Sequence, residues 1–189
     1  MASVDFKKYV DSLKSIYGLT GGIGVLIPGM TYFTNYPPPI LPAISLFTAM
    51  VALATIFLTY FFNLKANKTK KILLLSFAAS ILILISYFVL FGMTTIQDPQ
   101  GKQVYQIGFH KCDWSLTQEG RAVKKNYPMK TIEEWMLQDA LFKRGGPEIL
   151  WKNWTIETAG VLLAVLFLFS FVLWVFAWGI VAKSKLTKK

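Results

Sequence analysis

Residues 108–115 read "GFHKCDWS". They hold the chain's only histidine, His110, and its only cysteine, Cys112, with Asp113 and Trp114 directly after. Imidazole, thiolate and carboxylate are the groups of zinc sites and of cysteine-nucleophile hydrolases. A structural zinc takes four such ligands, and a catalytic zinc usually three plus water. This chain offers His110 and Cys112, with Asp113, Glu119 or Asp139 as further oxygen donors. A Cys–His nucleophile pair needs facing side chains and a third group to orient the base. On an extended strand His110 and Cys112 share one side, but nothing in the sequence marks an orienting group or an oxyanion hole. The spacing therefore favours a polar strand end with a half-buried thiol. The alternatives are a metal site shared about an oligomer axis, catalysis by the pair, and an intermolecular disulfide through Cys112. No phosphate-binding glycine loop, H-E-x-x-H or G-x-S-x-G occurs anywhere in the chain. The sequence thus leads us to expect no catalytic, metal or cofactor site.

The class of protein decides what positions this stretch. The chain has 189 residues, is 54% hydrophobic and has a mean hydropathy of +0.46. A soluble domain of that length leaves too much apolar surface facing water. Charge is absent from three long runs: 50 residues from Ser15 to Leu64, 26 from Ile72 to Gln97 and 25 from Thr158 to Ala182. A helix needs about 20 apolar residues to cross a bilayer. The pattern predicts four transmembrane helices, Gly18–Thr34, Leu41–Phe62, Ile72–Met93 and Thr158–Ala182. The fold class expected is an all-α integral membrane protein. Four transmembrane helices carry a small mixed α/β cap, formed by the long second outer loop.

Lysine placement sets the orientation. Eleven lysines and two aspartates flank the termini and the middle connection, a net of +9 out of the total +10. Both termini and the "NLKANKTKK" connection are therefore placed on the cytoplasmic side. Lys65, Lys68, Lys70, Lys71, Lys183 and Lys185 are the candidate contacts to anionic lipid heads or to a soluble partner. The lysines lack the arginine and aromatic interleaving that grips bases, so direct nucleic-acid binding is not expected. Residues 1–17 read as an amphipathic helix on the inner surface, with Ser3 placed to cap it, and residues 183–189 as a basic tail.

The spans, within residues 18–93 and 158–182, contain no ionisable residue other than tyrosine. Proton- or ion-coupled carriers need such groups at membrane depth. In the first span Gly18 and Gly22 form a G-x-x-x-G pair and Pro28 interrupts the helix. This face suits helix packing, within the monomer or between subunits of a homo-oligomer. Trp151, Trp154, Trp174 and Trp178 frame the last span as interfacial anchors. Residues 94–157 form the outer cap. A hairpin is expected from "TTIQ" and "KQVYQIGF" around the Asp98–Gly101 turn. Ser115 with Gln118, and Thr131 with Glu134, read as capping boxes. Pro147 opens a further helix that runs through "EILWKNW" into the last span. Trp114 and Trp135 are the expected packing residues of the cap.

Two function classes follow, a non-enzymatic membrane scaffold or sensor and a pore-forming or membrane-disrupting effector. A lipid-handling membrane enzyme is the third. The whole-chain layout resembles the KwaA family, the membrane subunit of bacterial Kiwa anti-phage systems. The likeness lies in four spans in about 190 residues, a short proline-rich first outer loop ("NYPPPI"), a long second one and "GGPEILWKNW" before the last span. That resemblance implies an oligomeric sensor of phage infection in the bacterial inner membrane, working with a cytoplasmic DNA-binding partner, KwaB. Tetraspanins and claudins share the gross layout, but their outer loops depend on cysteine pairs that this chain lacks.

Overall fold

The computed structural model describes residues 5–13, 43–61, 66–97, 104–132, 134–135 and 146–186. In chain order the elements are α1 (residues 6–13), α2 (Ala43–Phe61), α3 (Ala66–Thr94), β1 (Thr95–Gln97), β2 (Val104–Gln106), α4 (Gln118–Asn126), a 3-10 turn (Pro147–Ile149) and α5 (Asn153–Leu186). They fall into two compact units, Met1–Ile85 with Leu166–Lys189, and Ser86–Val165.

The long helices form because nothing in them stops a helix. α3 contains no proline and a single glycine near its end, and α5 contains two glycines and no proline. Both run past their expected limits. α3 starts at Ala66 rather than Ile72, so Lys68, Lys70 and Lys71 lie on its first turns. α5 extends from Asn153 to Leu186. Within them, Lys68–Thr94 and Asn153–Ser184 are long and apolar enough to cross a membrane, and only 17% and 33% of an apolar 18-residue stretch in each is buried. The core helix of a soluble domain is mostly buried; these are not. α2 supplies 19 further residues without a charge. The span expected at Gly18–Thr34, with Gly18, Gly22 and Pro28, lies outside the described residues, as does Lys65.

On α2 and α3 polarity is inverted relative to a helix in water. On α3, Ser76 and Ser80 are 7% and 2% exposed, while Leu74 and Leu75 are 73% and 70% exposed. α2 repeats the pattern, with Thr55 and Thr59 buried and Leu53, Phe57 and Leu58 exposed. A helix facing water turns its apolar side inward. In hydrocarbon an exposed leucine costs nothing, and small residues let helices approach closely. The buried hydroxyls are satisfied inside the protein. Thr55 Oγ1 donates to Val51 O at 2.8 Å and Thr59 Oγ1 to Thr55 O at 2.6 Å. Ser80 Oγ donates to Ser170 O at 2.9 Å, and Ser170 Oγ donates back to Ser80 O at 3.2 Å. This reciprocal clasp joins α3 to α5. α5 meets α2 at Gly179, where an added Cβ would stand 2.7 Å from Thr59 Cγ2.

α1 is helical over residues 6–13, within the helix expected over 1–17. Tyr9 and Leu13 are buried against Ile56, Tyr60, Trp178, Val181 and Leu186. Tyr9 Oη donates to Ile56 O at 3.2 Å, and Ser12 Oγ to Ala182 O at 3.4 Å. The apolar stripe of this arm thus packs on protein. Asp5 caps it, its Oδ1 accepting from Lys7 N at 3.0 Å; Ser3, the expected cap, lies outside the described residues.

The second unit has a core of its own. β1 and β2 pair antiparallel, with Ile96 opposite Tyr105. Ile96, Ile107, Leu116, Ile132, Trp135, Leu150 and Trp151 form the buried cluster. α4 is capped by Thr117, whose Oγ1 accepts from Gly120 N at 3.1 Å, and not by Ser115 as the sequence suggested. Ser115 is drawn into the interior instead. The expected capping box at Thr131 is present: Thr131 N donates to Glu134 Oε2 at 2.8 Å, and Glu134 N to Thr131 Oγ1 at 3.3 Å. The predicted continuous helix through "EILWKNW" is interrupted. Trp151 forms an isolated antiparallel bridge with Leu116, and Lys152 N donates to Ser115 O at 2.9 Å. That backbone pairing and a helix compete for the same groups, so α5 begins only at Asn153.

Thr117→Ala removes a cap that serves twice, since Thr117 Oγ1 also donates to Ile149 O. We expect a loss of about 1–2 kcal/mol, read as a lower denaturation midpoint of the Ser86–Val165 unit with an unchanged slope.

Candidate functional site

The residues that looked reactive lie in the turn after β2. The strand was expected to run on to His110, but it ends at Gln106. Ile107 N still donates to Thr94 O at 2.8 Å, and then the chain bends. Gly108 lies so close to its neighbours that an added Cβ would stand 2.6 Å from Trp151 Cδ1, and closer to the hydroxyls of Ser115 and Thr155. His110 has φ +34°, a left-handed conformation uncommon for a residue with a Cβ. Its N–H donates to Met93 O at 3.1 Å, and its carbonyl accepts from Trp151 Nε1 at 2.8 Å. Cys112 N donates to Phe109 O at 3.0 Å, and Ser115 N to Cys112 O at 2.9 Å. His110 and Cys112 are therefore residues of successive tight turns, not partners along one strand.

Ser115 is the hub. It is fully buried. Its Oγ accepts from Phe109 N at 2.9 Å and donates to Thr155 Oγ1 at 3.0 Å. Thr155 Oγ1 in turn donates to Lys152 O at 2.7 Å. Hydroxyl, amide and carbonyl of Ser115 each have a partner, so the hydroxyl serves structure. The network ties the turn to residues 149–155, where Thr117 N adds a bond to Leu150 O at 3.0 Å.

The charged groups face outward. Asp113 is paired with Lys124 at 2.5 Å. That hydrogen bond and charge hold its carboxyl below the usual carboxylate range, and Arg121 adds to the effect. The pair is open to solvent and therefore weak. Lys124 Nζ also donates to Lys111 O at 2.9 Å, while Lys111 Nζ bonds to Lys130 O and lies 4.8 Å over the Trp135 ring. Among the described residues no three His, Cys, Asp or Glu side chains stand where they could hold a metal ion.

The other predicted residues separate clearly. Trp135 is buried in the core, with Nε1 donating to Tyr127 O at 2.9 Å. Trp151 is not an interfacial anchor: it is 0% exposed and lies in the same core. Trp114 is not a buried packing residue: it is 48% exposed. Trp154 is 54% exposed. Trp174 and Trp178 cross the Phe77 ring edge-on at 5.1 and 5.6 Å, and their Nε1 atoms are buried. They pack inside the first unit rather than presenting the N–H to an interface. Lys183 Nζ donates to Tyr60 O and lies 5.8 Å over its ring. Lys185 lies in the last turn of α5.

Sequence reasoning missed Gly108, Ser115, Thr155 and the Ser80–Ser170 clasp. Gly108 had a readable signal, because an isolated glycine inside a strand pattern marks a close backbone approach. The hydroxyl pairs had none, since their partners are 40 and 90 residues away. No known protein family, curated protein or solved structure matches the chain.

Proposed function

We propose that this chain is a multi-span protein of the bacterial inner membrane. It has four spans, both termini cytoplasmic and a small outer cap, and it acts as an oligomeric scaffold or sensor rather than as an enzyme. The observation that supports this reading most is the inverted polarity of α2 and α3, with serines and threonines inside and leucines outside. A second support is the use made of "GFHKCDWS". Its hydroxyl and its backbone are engaged in holding the cap together, and its carboxylate pairs with a surface lysine. A rigid cap on membrane helices suits relay of an outer disturbance better than chemistry. In this reading Lys68, Lys70, Lys71 and Lys183, with Lys65 and Lys185, meet anionic lipid heads or a soluble partner, and the Gly18–Gly22 face packs between copies. By resemblance to KwaA, the disturbance is phage infection and the partner a cytoplasmic, DNA-binding protein of the KwaB kind.

Topology is the test. Met129 lies in the cap and is 95% exposed. In a Cys112→Ser background, Met129→Cys is expected to react with a membrane-impermeant maleimide on intact spheroplasts. A cysteine appended after Lys189 is expected to react only after lysis. The reverse pattern overturns the relay to the cytoplasm. Ion flux through vesicles holding the purified chain alone replaces the scaffold with the pore-forming alternative.

A further inference from the structure

Of the four tryptophans in Ser86–Val165, two are buried in the core and two are half-exposed. The exposed pair is not scattered. Trp114 and Trp154 stack with ring centroids 5.9 Å apart, and Phe109 stacks on Trp114 at 4.9 Å. Three aromatic rings, two from this turn and one from the start of α5, thus form one continuous layer on the surface. Large aromatics facing water give up the burial that two other tryptophans of the same unit obtain.

The layer continues down one helix. Trp154 is the second residue of α5. Thr158, Val161, Leu162 and Val165 follow at helical spacing, and all are exposed. Thr158 Oγ1 donates to Trp154 O at 2.7 Å, so its hydroxyl is bonded within the helix. The exposed Glu157 beside Thr158 accepts from Asn153 Nδ2 at 3.0 Å, and from Val161 down the stripe is apolar. From Trp154 to Val165 is 11 residues, about 16 Å at 1.5 Å per residue. That is close to half of a hydrocarbon core of about 30 Å. With Val165 within the hydrocarbon, the three rings lie at the headgroup level, where tryptophan is enriched because its indole is apolar with one polar N–H.

We propose that the "GFHKCDWS" turn is a membrane-seated turn. Phe109 and Trp114, with Trp154, enter the outer headgroup layer and fix the cap against the lipid surface. The proposal rests on the reading of α5 as a span. Lipid is favoured over a protein partner because the rings run without a break into the stripe of that helix. The turn is already held by Ser115, Thr155 and Trp151, so the rings are presented in a set geometry and little ordering is required on contact.

Fluorine NMR of the full chain labelled with fluorotryptophan tests this directly. The chain is placed in bilayer discs of phosphatidylethanolamine and phosphatidylglycerol. Single Trp→Phe substitutions assign the six resonances, and Val165→Trp and Phe169→Trp each add a reporter within the helix. Lipids carrying a spin label next to the headgroup are expected to abolish the Trp114 and Trp154 signals. Lipids labelled at the chain end are expected to abolish the Val165→Trp signal. The Trp135 and Trp151 signals should survive both. If the Val165→Trp or Phe169→Trp reporter responds to lipid while Trp114 is lost only to an aqueous gadolinium chelate, the membrane-seated turn is overturned and the span stands. Trp114 protected from both lipid label and chelate overturns it as well, in favour of a protein cover. If neither helix reporter responds to any lipid label, the span reading fails and takes this inference with it.

Discussion

Trp151→Ala is expected to unfold the Ser86–Val165 unit. Truncating a buried tryptophan costs about 3–5 kcal/mol. Trp151 is fully buried, and its Nε1 is bonded to the His110 carbonyl. Losing that donor adds about 1–3 kcal/mol for a carbonyl left unpaired in a strained turn. The total approaches the whole stability of a small domain, about 5–15 kcal/mol. Limited proteolysis and amide exchange of β1, β2 and α4 should show the loss. Trp114→Ala is the matched control. It removes the same side chain type from an exposed position and should change cap stability by less than about 1 kcal/mol. Equal effects of the two substitutions would contradict the placement of both tryptophans.

Leu82→Asp should abolish stable membrane insertion. Leu82 lies midway along Lys68–Thr94 and is well exposed. In hydrocarbon the exchange costs about 3–4 kcal/mol, by the difference between leucine and aspartate at a helix centre. On a surface facing water the same change falls within about 0.5 kcal/mol. Recovery of the chain in carbonate-washed membranes separates the two cases. Ser80→Ala, in the same helix, removes the donation from Ser80 Oγ to Ser170 O but leaves that from Ser170 Oγ to the Ser80 carbonyl, and should cost about 0.6 kcal/mol, since interhelical hydrogen bonds in bilayers are modest. Membrane recovery of Leu82→Asp equal to that of Ser80→Ala would count against a lipid-facing α3.

The long helices were legible because charge-free runs are a one-dimensional signal. Their ends were not, because lysines continue a helix as readily as leucines do, which is why α3 starts at Ala66. The hairpin was visible in the alternation of Tyr105 and Ile107 around the Asp98–Gly101 turn. Its early end was hidden, because Gly108 is required by Ser115, Thr155 and Trp151, and none of these is local. The tryptophans were legible as a set but not one by one. Spacing marked Trp151 and Trp154 as equivalent, and Leu116 made them different by pairing its backbone with Trp151. Thr131 with Glu134 was read correctly, since a capping box is complete within four residues. His110, Cys112 and Asp113 suggested a site by residue type. Two of them contribute mainly backbone to the turn, and the third pairs with a surface lysine.

The Ser115–Thr155 bond spans 40 residues and the Leu116–Trp151 bridge nearly as many. A ribosome adding about 5–20 residues per second needs seconds to cover that distance. Throughout that interval the "GFHKCDWS" segment has been made but its partners have not. The pairing that completes the cap arrives on the first residues of α5 and on those just before it. Assembly of the Ser86–Val165 unit is therefore timed by delivery of α5. A nascent chain in which α5 is delayed would leave this segment open and protease-sensitive, so its protection reports that α5 has been delivered.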